Sequence, residues 1–136
     1  MRLSKNAIKY QAVLALIGLL FSGYLTLYHY LGGVPLVCPN SGAIDCAAVL
    51  ASPYAVVLGI PVALFGVLFF VVEMALLLRR EREYLLYWNT IGFLFLFYLW
   101  FSEFVLGKIC IYCTAVHAVV ILLFLISLFT SDELKE

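Results

Sequence analysis

The chain has 136 residues, 66% of them hydrophobic and 12% charged, with eight basic and eight acidic side chains. Soluble domains carry about 25% charge, so this composition excludes an ordinary water-soluble globule and makes lipid the main solvent. The even charge balance gives no nucleic-acid signal, and four cysteines are the most reactive side chains present.

Arg2, Lys5 and Lys9 precede a first apolar run over about 12–31. The run is too long for a secretory signal, has no small-residue cleavage site, and ends among Tyr24, Tyr28 and Tyr30. It reads as an uncleaved span with an aromatic belt. A loop over 32–53 follows. Gly32-Gly33, Pro35 and Pro39-Asn40-Ser41-Gly42 are turn formers, and Cys38 lies among them. Asp45 then precedes Cys46-Ala47-Ala48-Val49-Leu50, with Pro53 beyond, the pattern of a short helix with Asp45 as N-cap. Such an apolar helix is expected to lie as a lid over the mouth of a bundle. Cys46 would occupy its first turn, where the dipole favours thiolate.

Three more apolar runs cover about 54–78, 84–106 and 109–130. Each of the four is near the ~20 residues that cross hydrocarbon. Each must be helical, because lipid offers no partner to open backbone groups, and no period-2 alternation suggests a barrel. The expected fold is a single all-α integral membrane domain over 1–136. It is a four-transmembrane-helix bundle with an extracytoplasmic loop and a short lid helix, solvated by membrane lipid.

Arg2, Lys5, Lys9, Arg79, Arg80, Arg82 and Lys135 fall on one side of these spans, and Lys108 alone on the other. The positive-inside rule then puts both termini in the cytoplasm of a multi-pass cell-membrane protein. All four cysteines face outward, where disulfides persist. Glu73 and Glu103 are the charged residues left inside the spans. Glu73, near Arg79, reads as reaching the inner interface. Glu103, seven residues before Cys110, is a functional candidate beside the sulfur chemistry. His29, in the tyrosine-rich end of the first span, reads as interfacial.

Seven residues separate Cys38 from Cys46, and flexible turns can bring them to disulfide distance, either as a structural bridge or as a redox pair. Cys110-Ile-Tyr-Cys113 begins the fourth span just after Gly107-Lys108. Lys108 and the helix N-terminus are both expected to lower a thiol pKa there. A three-residue step puts both sulfurs on one helix face. So small a ring is a poor staple and a reasonable redox couple. Zinc is the rival use of four cysteines, disfavoured by the unusual spacing of the first pair, so no metal is expected. His117, one turn beyond Cys113, is either a packing residue or a hydrogen-bond partner for something lodged beside the cysteines.

Electrons that enter at thiols need an acceptor. Disulfides exchange two at a time, and a quinone accepts two electrons and two protons while dissolving in the bilayer. A pocket for it is expected among the helices at the level of Cys113, with His117 and Glu103 bonding ring oxygens or relaying protons. The aromatics of the third span (Phe93, Phe95, Phe97, Tyr98, Trp100, Phe101, Phe104) are too dense to line one pocket, and most are expected to face lipid or other helices.

The Cys-x7-Cys loop, Ser52-Pro53-Tyr54, Gly59-Ile60-Pro61, Glu103 and Cys-x-x-Cys together resemble the vitamin K epoxide reductase family over about 12–130. The likeness is closest to prokaryotic members that support disulfide formation outside the cytoplasm. It implies a four-helix bundle around a quinone, menaquinone or ubiquinone. It also implies that Cys38 forms a mixed disulfide with a thioredoxin-like partner and that Cys46 passes electrons to Cys110. Cys113 would then attack, or make a charge-transfer contact with, the quinone. Ser52 matches a hydroxyl position near the ring, and His117 stands where animal members carry a tyrosine that bonds the naphthoquinone. The asparagine that holds the other quinone oxygen in animal enzymes has no counterpart at the start of the second span. The chain also ends soon after the fourth span, without the thioredoxin domain fused in some bacterial members, so the partner is expected to be a separate protein. The function expected is that of a membrane thiol oxidase, a protein dithiol:quinone oxidoreductase. Its alternatives are quinone-epoxide reduction and a non-enzymatic protein with static disulfides.

Overall fold

Small side chains decide how the first helix packs. In the computed structural model, which describes residues 5–31, 44, 46–79 and 81–129, helix α1 (Lys5–Leu31) buries Ala7, Gln11, Ala15, Gly18, Ser22 and Leu25. Steps of three and four place these on one face, and the small size of Ala7, Ala15, Gly18 and Ser22 lets neighbouring helices come close. The ring of Phe70 fills the space a Cβ on Gly18 would need, and Ser22 does the same to Gly66.

A five-residue helix α2 (Cys46–Leu50) is followed by a 3-10 turn at Pro53–Ala55, strand β1 (Val56–Val57) and strand β2 (Ile60–Pro61). Three long helices complete the chain: α3 (Val62–Arg79), α4 (Arg82–Leu106) and α5 (Ile111–Phe129). Helices α1, α3, α4 and α5 are long and apolar enough to cross a membrane. Their outer faces carry large exposed apolar side chains, such as Leu20, Leu78, Phe101 and Phe104. The described part of the α1–α3 connection meets the turn between α4 and α5 at one end of the bundle, where Ile44 bridges Ile109.

The span boundaries differ from the sequence expectation at two places. Residues 54–61 are not α-helical. Pro53 and Pro61 interrupt the run, and Leu58 (φ 56°) and Gly59 (φ 80°) form the left-handed pair that closes a two-residue hairpin. Val57 pairs with Ile60 across it. At the other end α1 begins at Lys5, seven residues before the hydrocarbon run, because polar residues can prolong a helix into water. The lid helix lies where expected; its proposed cap, Asp45, and Cys38 fall outside the described residues.

Two apolar layers hold the bundle. One joins Ala15, Phe70, Leu96, Val119, Val120 and Leu123. The other, toward the chain ends, joins Ala7, Leu77 and Leu85. Helix α1 packs chiefly on α3 and α5, whereas α3 and α4 touch less.

Candidate redox site

Gly107 ends α4 in the left-handed conformation (φ 67°), with its N–H bonded to the carbonyls of Glu103 (2.9 Å) and Phe104 (3.3 Å). This C-cap turns the chain so that Cys110 falls at the head of α5. The Cys110 carbonyl accepts the first helical bond, from Thr114 N–H at 2.9 Å, which makes Cys110 the N-cap residue and Cys113 the third residue of the helix. An N-cap side chain receives backbone N–H groups. Here the Cys110 sulfur is bonded first by the Cys113 thiol, then by the N–H groups of Cys113 and Tyr112. Against burial and the nearby Glu103 charge, these bonds hold the Cys110 thiol below its ordinary pKa. The Cys113 thiol is the foremost cause, and the N–H groups of the cap add to it.

Tyr112 sets the rotation of this turn. Its ring stacks on Tyr24 at 5.5 Å and tilts against Phe21 at 5.9 Å, both on α1. With Tyr112 turned to α1, Cys113, Val116, His117 and Val120 face a cavity of about 600 Å³. Cys110 is fully buried and is not part of its lining. The two sulfurs, both unbridged, bond each other, and Cys113, not Cys110, lines the cavity.

Ile44 makes a parallel bridge to Ile109. Bridged strands lie ~4.8 Å apart. Cys46 follows two residues after one partner of this bridge and Cys110 one residue after the other. Cys46 is described in its backbone alone. Ser52, buried, lines the cavity and donates its hydroxyl to the Val49 carbonyl at 2.8 Å, closing α2. The Tyr98 hydroxyl donates to the Tyr54 carbonyl at 3.2 Å and ties the following turn to α4.

The lining is apolar apart from a few groups, notably Ser52, Glu103, Cys113 and His117. Glu103 is half-buried; the Cys110 N–H bonds its carboxylate, and Oε1 is buried without a partner among the described residues. Its charge acts on both sulfurs. His117 is buried and accepts a bond at Nδ1 from the Trp100 indole N–H at 3.2 Å. Indole is a donor only, so Nδ1 is unprotonated and the neutral ring carries its proton on Nε2. Trp100 was not among the site residues expected from sequence. Its signal was available: it lies one turn before Glu103 on α4, and a buried histidine needs a partner.

The remaining aromatics of α4 divide as their density demands. Phe95 lines the cavity, Phe93 stacks on Phe124 at 4.7 Å, and Phe97, Phe101 and Phe104 are exposed. His29 is exposed and edges the cavity. Glu73 departs from expectation. It does not reach the interface but is fully buried against Asn89.

The sequence model of the vitamin K epoxide reductase family matches residues 10–128. The chain belongs to this family. It is thus a multi-pass membrane oxidoreductase of the disulfide and quinone type. No curated protein matches the chain. Vitamin K epoxide reductase family proteins use quinones, and the residues present fit one. The cavity volume lies in the range of small-molecule sites, and apolar walls with a few convergent polar groups suit a flat ring with two oxygens. Leu68 and Val72 of α3 and Ile91 and Phe95 of α4 both line the cavity and are exposed. It therefore opens sideways between α3 and α4, where an apolar tail can pass into lipid.

Proposed function

We propose that the protein is a membrane thiol oxidase that reoxidises a separate thioredoxin-fold protein outside the cytoplasm and delivers two electrons to a membrane quinone. The carrying observation is the division of labour at the head of α5. Cys113 lines the apolar cavity, and Cys110 is buried outside its lining, beside the segment that leads to Cys46.

In this reading, a thiolate of the partner attacks Cys38 of the Cys38–Cys46 disulfide, and the partner's second thiolate then releases its own disulfide and a reduced loop pair. Cys46 thiolate attacks the Cys110 sulfur of a Cys110–Cys113 disulfide. A Cys46–Cys110 bond forms and Cys113 leaves as thiolate, facing the cavity. Cys38 thiolate next attacks Cys46, restoring the loop disulfide and expelling Cys110. The hydrogen bonds that lower the Cys110 pKa stabilise that leaving thiolate, and a lower-pKa thiol leaves faster. A quinone, when bound, would supply the two-electron, two-proton acceptor that lets Cys110 and Cys113 reform their disulfide. His117 presents Nε2–H as a donor toward a ring oxygen, and Glu103 Oε1 is the acceptor nearest the sulfurs for a thiol proton. Ser52, with its hydrogen already given to Val49, offers lone pairs to the cavity.

Cys113→Ala tests the path. Quinone reduction should stop while the loop pair still exchanges with a dithiol protein. Quinone turnover at the normal rate in that variant contradicts the assigned route.

A further inference from the structure

Between the two apolar layers lies a polar one, with a residue from each long helix. On α1, Gln11 sits between Ala7 and Ala15; on α3, Glu73 between Phe70 and Leu77; on α4, Asn89 between Leu85 and Leu96; on α5, Ser127 follows Leu123. All four polar residues are fully buried. Their level follows from the packing register. Gly18 meets Phe70 and Ser22 meets Gly66, so α1 and α3 run antiparallel in step, and Gln11 stands level with Leu77. Glu73 is one turn away, about 6 Å along the axis, within reach of a glutamine side chain on the same buried face.

The hydrogen bonds in this layer do not balance. The Asn89 amide offers two hydrogens to three acceptors: Glu73 Oε1 (3.2 Å), the Leu85 carbonyl (2.9 Å) and Ser127 Oγ (3.0 Å). Glu73 Oε2, Asn89 Oδ1 and both polar atoms of Gln11 are buried with no partner among the described residues. Three oxygens thus lack a donor and Gln11 Nε2 lacks an acceptor; an amide hydrogen turned to the carboxylate would still leave its charge unneutralised. The described charged groups of the adjoining segments, Lys5, Lys9, Arg79, Glu81 and Glu83, are exposed. An ionised carboxylate in such a place requires a compensating charge.

We propose that Gln11, Glu73 and Asn89 form an internal site for one unit of positive charge, taken either by a sodium-sized monovalent cation or by a proton on Glu73. One positive charge neutralises the carboxylate, whereas a divalent ion would leave the layer charged. A bound cation is coordinated by Glu73 Oε2, Asn89 Oδ1 and Gln11 Oε1. A proton on Glu73 Oε2 instead becomes the missing donor to one of the amide oxygens. The site lies beyond Phe70, Leu96 and Val120, which line the cavity, and shares no residue with the electron path. It stands whether or not the thiol oxidase reading does.

The test uses the full chain in lipid nanodiscs. Thermal unfolding is followed in sodium chloride and in N-methylglucamine chloride at equal ionic strength. Infrared difference spectra against Glu73→Gln then isolate the Glu73 carboxyl band. Saturable stabilisation by sodium that is lost in Glu73→Gln and weakened in Gln11→Leu supports the cation. No sodium effect, with a protonated-carboxyl band in the unsubstituted protein, supports the proton. An ionised Glu73 band with no sodium effect overturns the proposal, as does a sodium effect that survives Glu73→Gln. Should Glu73→Gln fail to fold, Gln11→Leu replaces it in the sodium comparison, and the carboxyl band is read from selectively labelled glutamate.

Discussion

Replacing Trp100 by phenylalanine removes the indole N–H that fixes the His117 tautomer and keeps an aromatic ring in place. The bond is 3.2 Å long and joins two uncharged groups, so its net worth is about 1 kcal/mol. If that energy holds Nε2–H toward the acceptor, losing it weakens quinone binding by roughly five-fold, since each ~1.4 kcal/mol is ten-fold. Trp100→Phe should therefore raise the quinone KM about five-fold. Exchange between the loop pair and a dithiol protein should be unchanged, because the bond that is lost joins α4 to α5. The assay is steady-state quinone reduction in nanodiscs, paired with nitrogen NMR of labelled histidine. The NMR should show a single Nε2–H tautomer in the unsubstituted protein and a mixture in the variant. An unchanged tautomer together with an unchanged KM refutes the positioning role.

The pH dependence of Cys110 follows from its hydrogen bonds. Its alkylation profile should rise at lower pH than that of an ordinary thiol, and Cys113→Ala should move the rise upward by removing the foremost donor. Glu103→Gln should move it downward, because the carboxylate charge opposes the thiolate. Packing at α1 should be equally sensitive. A Cβ at Gly18 meets the Phe70 ring, so Gly18→Ala should cost about 1–3 kcal/mol, read as a lower Tm and partly restored by Phe70→Leu. Gly107 holds a left-handed cap, and Gly107→Val should cost upward of about 1 kcal/mol and slow quinone reduction by displacing Cys110; unaltered stability and turnover would contradict that role.

Hydropathy made the four spans legible, but it reports apolar length and not backbone form. Residues 54–61 are as apolar as a helix, and only Pro53, Leu58-Gly59 and Pro61 in combination make them a turn and hairpin. The short distance from Glu73 to Arg79 suggested reach to the inner interface, but the helix rotation that buries Glu73 could not be read. Its partner Asn89 lies on another helix, and Ser127 on a third. The cysteine pair could be placed at the head of a helix from its spacing, and the inequality of its members could not. That inequality depends on where α5 starts, with Cys110 at the cap, and on Tyr112 packing against Tyr24 and Phe21. His117 could be placed beside Cys113 by its four-residue step. Its tautomer required Trp100, which sequence spacing does not connect to it.

The exchange step between the two pairs is tested most directly in variants that retain two of the four cysteines. Cys38→Ala with Cys113→Ala leaves Cys46 and Cys110, and mild oxidation in membranes should give an intramolecular disulfide between them, identified by peptide mass spectrometry. Cys38→Ala with Cys110→Ala leaves Cys46 and Cys113 and should give little. A Cys46–Cys113 bond in the second variant as abundant as the Cys46–Cys110 bond in the first, or no bond in the first, contradicts the electron path.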